Sequence, residues 1–262
     1  MRRPRIAVRE EREWVVAAGT RMHFRRWSPV GRSPAPDQIV LVHGLGVSSR
    51  YMIPGGRELG RTHDTAAPDL PGFGFTPYGR RVLDVRGLAD ALLSWLDAKA
   101  LDEVTLLGNS MGCQIAVDLA VRHPRRVRAL VLTGPTFDAR ARTTPRQATR
   151  LVSDMVAERP SLPFVLAVEY AQCGPRRYWR TYRAGLADRI EDKLPAVDVP
   201  VLVVRGERDP IVPTPWADRV AALARDGSFA EIRGVGHNVQ YSAARQLGEL
   251  VRSFLAAHPA SA

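Results

Sequence analysis

Cysteine is nearly absent: a chain of 262 residues holds two, Cys113 and Cys173. They form no CxxC pair and have no histidine cluster beside them, which excludes a zinc-ribbon or a dense disulfide framework. Reduced thiols inside a cell are the expectation, and a chain of this length buries a core without covalent staples. Lysine is equally scarce. Apart from Lys99 and Lys193, every one of the 38 basic residues is an arginine. The arginines are spread over all segments, and no helix-turn-helix, zinc-finger or RNA-recognition signature accompanies the formal net charge of +11. Nucleic acid is therefore not an expected partner, although a basic surface favours anionic ligands. Long apolar runs are missing as well. The opening MRRPRIAVREEREW turns charged instead of entering an apolar stretch. The expectation is a cytoplasmic protein with neither signal peptide nor membrane span.

What is present is an alternation. Residues 13–17 and 21–27 flank Ala18-Gly19-Thr20 and read as a hairpin. IVLVHG, residues 39–44, is a continuous apolar run too short for a helix, as suits a strand covered on both faces. Residues 82–98 carry leucines at helical spacing and precede a strand, EVTLL, at 103–107. After it, Met111, Ile115, Leu119 and Val121 mark a buried helix ending near His123-Pro124. RALVLTG (128–134) and PVLVVRG (200–206) read as strands, followed by a helix at 216–224, a strand at 229–233 and a helix at 243–256. His63 falls in a segment read as loop before Asp69. The class is α/β: a mostly parallel sheet with helices on both faces and an antiparallel N-terminal hairpin. Residues 135–194 break the rhythm with no strand signal, and they are too long for a plain connection. They read as a helical cap inserted into a core made of residues 1–134 and 195–262.

GNSMG, residues 108–112, joins a strand to a helix in the pattern of a nucleophile elbow. A serine there stands above the sheet at a helix N-terminus, where backbone N–H groups favour developing negative charge. A serine hydroxyl needs a base, and the base an orienting acid. Asp209 follows the strand PVLVVRG, and His237 follows the strand at 229–233, so both sit in loops where open parallel sheets bind ligands. Glu207 is the competitor for the acid. The N–H of Met111 and, by position in HGLGVSS (43–49), that of Leu45 are candidate oxyanion donors, while His43 reads as a brace for that loop. Asn109 reads as a neighbour on the elbow without chemistry, and Cys113 as a small packing residue.

HGLG, APDLPGFG (67–74), GNSMG, GERDPIVP (206–213) and GVGH occur in an order and spacing that resemble the capped branch of the α/β-hydrolase fold family across nearly the whole chain. The resemblance implies a Ser110–His237–Asp209 triad, a helical cap, and neither metal nor organic cofactor. In RRYWRTYR (176–183), Tyr178 and Tyr182 share a helix face, as do Arg176 and Arg180. Tyr178, Tyr182 and Arg180 are candidate substrate contacts, suited to a small apolar or anionic acyl compound. The expected activity is hydrolysis of a carboxylic ester or lactone through an acyl-enzyme. GNSMG is also similar to the elbow of meta-cleavage product hydrolases, which cleave a C–C bond. This chain departs from them in its oxyanion loop and in Asn238, which stands where a large aromatic is expected. A weakly catalytic small-molecule receptor is the reading from another class.

Overall fold

The continuous apolar runs become the centre of one sheet. A computed structural model of the chain describes residues 6–259 except 32, 78, 80, 144, 147, 148, 151, 152, 155–157 and 159. Its strands are β1 (Val8–Ala17), β2 (Thr20–Pro29), β3 (Ala35–Val42), β4 (His63–Pro68), β5 (Val104–Asn109), β6 (Val127–Thr133), β7 (Val201–Gly206) and β8 (Gly227–Ile232). They lie in the order β1-β2-β4-β3-β5-β6-β7-β8. β1 pairs antiparallel with β2, and β2 with β4; every other neighbouring pair is parallel. The hairpin turns at Ala18 and Gly19, both at positive φ (50° and 69°), the tight two-residue form whose twist matches its strands.

Period-two alternation explains why these strands read as unbroken apolar runs. Val40, Val42, Leu106, Leu130, Leu132, Val201 and Val203 point into a core on one face. Ile39, Leu41, Leu107, Val131, Leu202 and Val204 point into a second core on the other. The first face is covered by α2 (Val85–Ala98) and α3 (Met111–Arg122), which supply Leu88, Leu92, Trp95, Ile115 and Leu119. The second receives Leu59 of α1 (Ile53–Leu59). α2 begins where Asp84 caps it, accepting the Gly87 N–H at 2.8 Å, not at residue 82 as its apolar spacing suggests.

Four further helices are α4 (Leu162–Cys173), α5 (Pro175–Ala187), α6 (Ile190–Lys193) and α7 (Thr214–Leu223). The chain closes with α8 (Val239–Ser242) and α9 (Ala244–Ala257). α7 belongs to the first core through Trp216 and Val220, and α9 to the second through Leu247 and Val251. Among the described residues of 135–194 there is no strand. Two elements differ from expectation. His63 starts β4 instead of lying in a loop, and α1 has no counterpart in the apolar pattern. None of the described helices is long and apolar enough to cross a membrane.

Candidate active site

The parallel strands run in one direction, so their C-terminal ends deliver residues 43–47, 110, 134, 207–209 and 233–237 to one edge of the sheet. At the end of β5 the chain must turn into α3 within one residue. Ser110 takes that turn at φ 56° and ψ −124°, a left-handed conformation costly for any residue with a side chain. Its N–H is fixed to the Thr133 carbonyl at 2.9 Å. The flanking glycines are required by close approach. A Cβ on Gly108 would lie 2.6 Å from the Gly112 carbonyl carbon, and one on Gly112 would lie 2.2 Å from the Val42 carbonyl oxygen. Cys113, fully buried behind the turn, donates its thiol proton to the Gly108 carbonyl, and burial pushes the thiol well up.

His237 follows β8 and is 4% exposed. Its Nδ1 meets Asp209 Oδ2 at 2.8 Å. The other carboxylate oxygen of Asp209 accepts the N–H groups of Ile211 (2.8 Å) and Val212 (3.0 Å), which fix the acid's orientation. Glu207 is engaged elsewhere, accepting the Gly234 N–H. Burial opposes charge on the His237 imidazole, but Asp209 against it, with Asp154 and Glu158 nearby, raises it to about 9. Gly134, at φ 56°, makes room for this ring, since a Cβ there would lie 2.7 Å from His237 Cε1 and Nδ1. Nε2 of His237 is buried and has no hydrogen-bond partner among the described residues, which leaves it available to take a proton.

The loop after β3 is braced from several sides. His43 Nε2 accepts the Leu70 N–H (3.1 Å), so its proton is on Nδ1, which donates to the Gly44 carbonyl at 2.9 Å. Burial holds the His43 imidazole below its ordinary value, which suits a neutral strut. Tyr51 accepts the Gly44 N–H and donates to Asn109 Oδ1 (2.9 Å). Asn109 in turn donates to the carbonyls of Thr133 and His237. The side chain read as an idle neighbour of Ser110 is thus a hub joining the elbow, β6 and the His237 loop.

Ser110, His237, Leu45 and Met111 all line a cavity of about 540 Å³. As the first residue of α3, Met111 has an N–H with no intrahelical partner. The remaining wall is mostly apolar: Val47, Phe137, Leu166 and Ile211, with Tyr170, Tyr178 and Tyr182. Tyr178 and Tyr182 therefore face the site. Arg180 does not: it is exposed and borders a separate surface groove with Arg81 and Asp84. From Tyr178 to Arg180 a helix turns about 200°, which puts the two on opposite sides of α5. Among the described residues no arginine or lysine lines the cavity, so the candidate contact Arg180 is not brought to the site.

The carboxylates of residues 154 and 158 were not legible in the sequence as site residues. Asp154 lines the cavity and accepts the His237 N–H at 3.1 Å. Burial pushes its carboxyl up, with His237 opposing and Glu158 and Asp209 adding, to about 6. Glu158 accepts the Asn238 N–H at 2.6 Å and its Nδ2 at 3.0 Å. Among the described residues, no group of three His, Cys, Asp or Glu side chains could hold a metal ion.

This fold and this arrangement at the strand ends define the class. The chain matches the model of the alpha/beta hydrolase family over residues 39–250 and belongs to that family. It is 30% identical to a 2-hydroxy-6-oxo-2,4-heptadienoate hydrolase of Pseudomonas putida, over 85% of this chain and 90% of that one. It is 25% identical to a pimeloyl-[acyl-carrier protein] methyl ester esterase of Neisseria meningitidis, over 86% of this chain and 96% of that one. A solved thermophilic esterase from Thermogutta terrifontis shares the fold, with a TM-score of 0.78 at 19% identity, covering 95% of this chain and all of that one.

Proposed function

We propose that the protein is a serine esterase acting on an uncharged, largely apolar carboxylic ester or lactone through an acyl-enzyme. The observation that carries this reading is that Ser110 and His237, the latter paired with Asp209, line one largely apolar cavity to which no arginine or lysine contributes among the described residues. Ser110 Oγ attacks the carbonyl carbon while His237 Nε2 takes its proton, and Asp209 holds the imidazole and offsets the charge that forms. The Met111 and Leu45 N–H groups receive the oxyanion. His237 then protonates the leaving alcohol, and water, activated by the same histidine, releases the acid. Residues 135–194 act as the cap, contributing Phe137, Leu166, Tyr170, Tyr178 and Tyr182 to the acyl site, over a core of residues 1–134 and 195–262.

The C–C bond reading is the second, and the 30% identity to the heptadienoate hydrolase favours it. A dienoate carries a carboxylate, and burying that charge here is costly. Among the described residues no arginine or lysine lines the cavity to meet it, the imidazole's charge faces Asp209, and Asp154 adds a like charge. The anionic acyl substrate anticipated together with Arg180 meets the same objection. The test is a panel of p-nitrophenyl esters of graded chain length, uncharged lactones and yellow ring-fission dienoates. Turnover of the esters with kcat/KM above about 10⁴ M⁻¹s⁻¹ and no bleaching of the dienoates is expected; the reverse pattern overturns the ester reading in favour of C–C cleavage.

A base must be neutral to accept a proton. Because the raised His237 value lies near 9, kcat/KM is expected to climb with pH along an acid limb displaced above 6.5 toward about 9. The stability that His237 gains from Asp209 is fully present below 6.5 and is lost as pH rises through that folded-state value. A pH–rate profile on a neutral ester checks the first point; a limb at or below 6.5 contradicts it.

A further inference from the structure

Two carboxylates from the helical stretch between β6 and β7 reach across the molecule and close on the main chain around His237. Asp154 Oδ1 takes the His237 N–H (3.1 Å), and Glu158 Oε1 takes both the Asn238 N–H (2.6 Å) and the Asn238 side-chain amide (3.0 Å). Glu158 Oε2 takes the hydroxyl proton of Ser242 at 2.6 Å. Both acids are buried, Asp154 at 3% exposure and Glu158 at 8%, and neither has an ion pair with arginine or lysine among the described residues. Arg150, one turn before Asp154, is engaged by Asp138 and the Ile211 carbonyl. Gly236 permits the approach. A Cβ there would sit 3.0 Å from Glu158 Oε1 and 3.2 Å from Asp154 Oδ1, a contact tighter than such atoms normally make.

A buried carboxylate with no cation beside it among the described residues is expensive even when hydrogen-bonded, and for stability alone an uncharged acceptor would serve better. What charge adds is a field. The charged groups acting on the imidazole are Asp209 from the loop after β7 and Asp154 and Glu158 from residues 135–194, with the neutral Tyr170 of α4 near Asp154. We propose that Asp154 and Glu158 are positioning residues for the catalytic histidine, a clamp that fixes the His237 loop against residues 135–194 and, through Asp154, sets the basicity of His237 together with Asp209. This rests on the serine-esterase reading for its catalytic consequence but not for its physical test. The clamp also means that any displacement of the helical stretch from the sheet removes hydrogen bonds from the backbone of the base itself.

Because burial and like charges raise the folded-state value of Asp154 above 3.8 to about 6, its ionisation opposes folding. That cost is absent below pH 3.8, grows between the two values and is complete above about 6. A residue kept only for structure would behave otherwise on replacement. Asp154→Asn retains an oxygen acceptor for the His237 N–H and removes the charge. In the full chain it is expected to move the acid limb of kcat/KM for p-nitrophenyl butyrate downward by roughly one pH unit. Its Tm at pH 8 should be no lower than wild type. Asp154→Ala, which also removes the acceptor, should lower plateau kcat about tenfold or more below that of Asp154→Asn. Glu158→Gln should restore the kcat that Glu158→Ala loses. Titration of the His237 Cε1–H resonance by NMR reads the same downward shift without turnover, so an enzyme silent toward esters would defeat the esterase reading and leave the clamp testable. The proposal is overturned if Asp154→Asn titrates like wild type, or if Asp154→Ala and Asp154→Asn are indistinguishable in kcat and pH profile.

Discussion

Ser110→Ala is expected to lower kcat on a p-nitrophenyl ester by on the order of 10⁵- to 10⁶-fold and to abolish covalent labelling by a fluorophosphonate. The loss follows from geometry at the elbow. Oγ of residue 110 stands at the helix N-terminus beside the cavity shared with His237, and backbone donors retained in the variant would supply only a residual rate. Stability should respond differently. Alanine keeps a Cβ at φ 56° and therefore keeps the backbone strain, so its Tm should match wild type within a few degrees. Ser110→Gly relieves that strain, worth about 1–3 kcal/mol, against about 0.5–1 kcal/mol for the greater freedom of glycine in the unfolded chain. A Gly variant that is inactive and at least as heat-stable as the Ala variant is the expected pair of results. Undiminished ester turnover by Ser110→Ala would remove the nucleophile from the mechanism.

The sheet was legible wherever a strand is covered on both faces. β3, β5, β6 and β7 send alternate residues into two apolar cores, so their central positions are mostly hydrophobic and the run stands out. β4 was not, because HDTAAP has no β-branched residue except Thr65 and owes its place to hydrogen bonding between β2 and β3. Ser110, Asp209 and His237 were legible as candidates because each ends a recognisable strand, and chain order ranks them. Asp154 and Glu158 could not be found in this way. Two acids four apart in a polar helical stretch normally describe a solvated face, and only the fold shows that face turned onto the His237 backbone. The one local signal was Gly236, whose missing side chain admits both carboxylates. For Arg180 the helix period was the information needed. Tyr178 and Tyr182 are one turn apart, and Arg180 falls between them on the far side.

Gly112→Ala is expected to be strongly destabilising for a change of a single methyl group. The added Cβ would meet the Val42 carbonyl oxygen at 2.2 Å and the His43 carbonyl oxygen at 2.9 Å, both backbone atoms at the end of β3. Neither can rotate away. β3 is held in register by β4 and β5, and His43 is fixed to Gly44 and Leu70. Relief therefore requires α3 to withdraw from the sheet, opening the packing of Ile115, Ala116 and Leu119. Overpacking a side chain costs about 1–3 kcal/mol, but a clash with immobile backbone belongs to the larger class above about 4 kcal/mol. For a chain of this size that is a fall in Tm of about 10 °C or more, visible by calorimetry or as insoluble expression. Gly79→Ala is the control, since nothing lies within 4 Å of the Cβ it would add; it should melt within a degree or two of wild type. If Gly112→Ala does the same, the helix is not pressed against β3, and the sharp turn at Ser110 loses its structural cause.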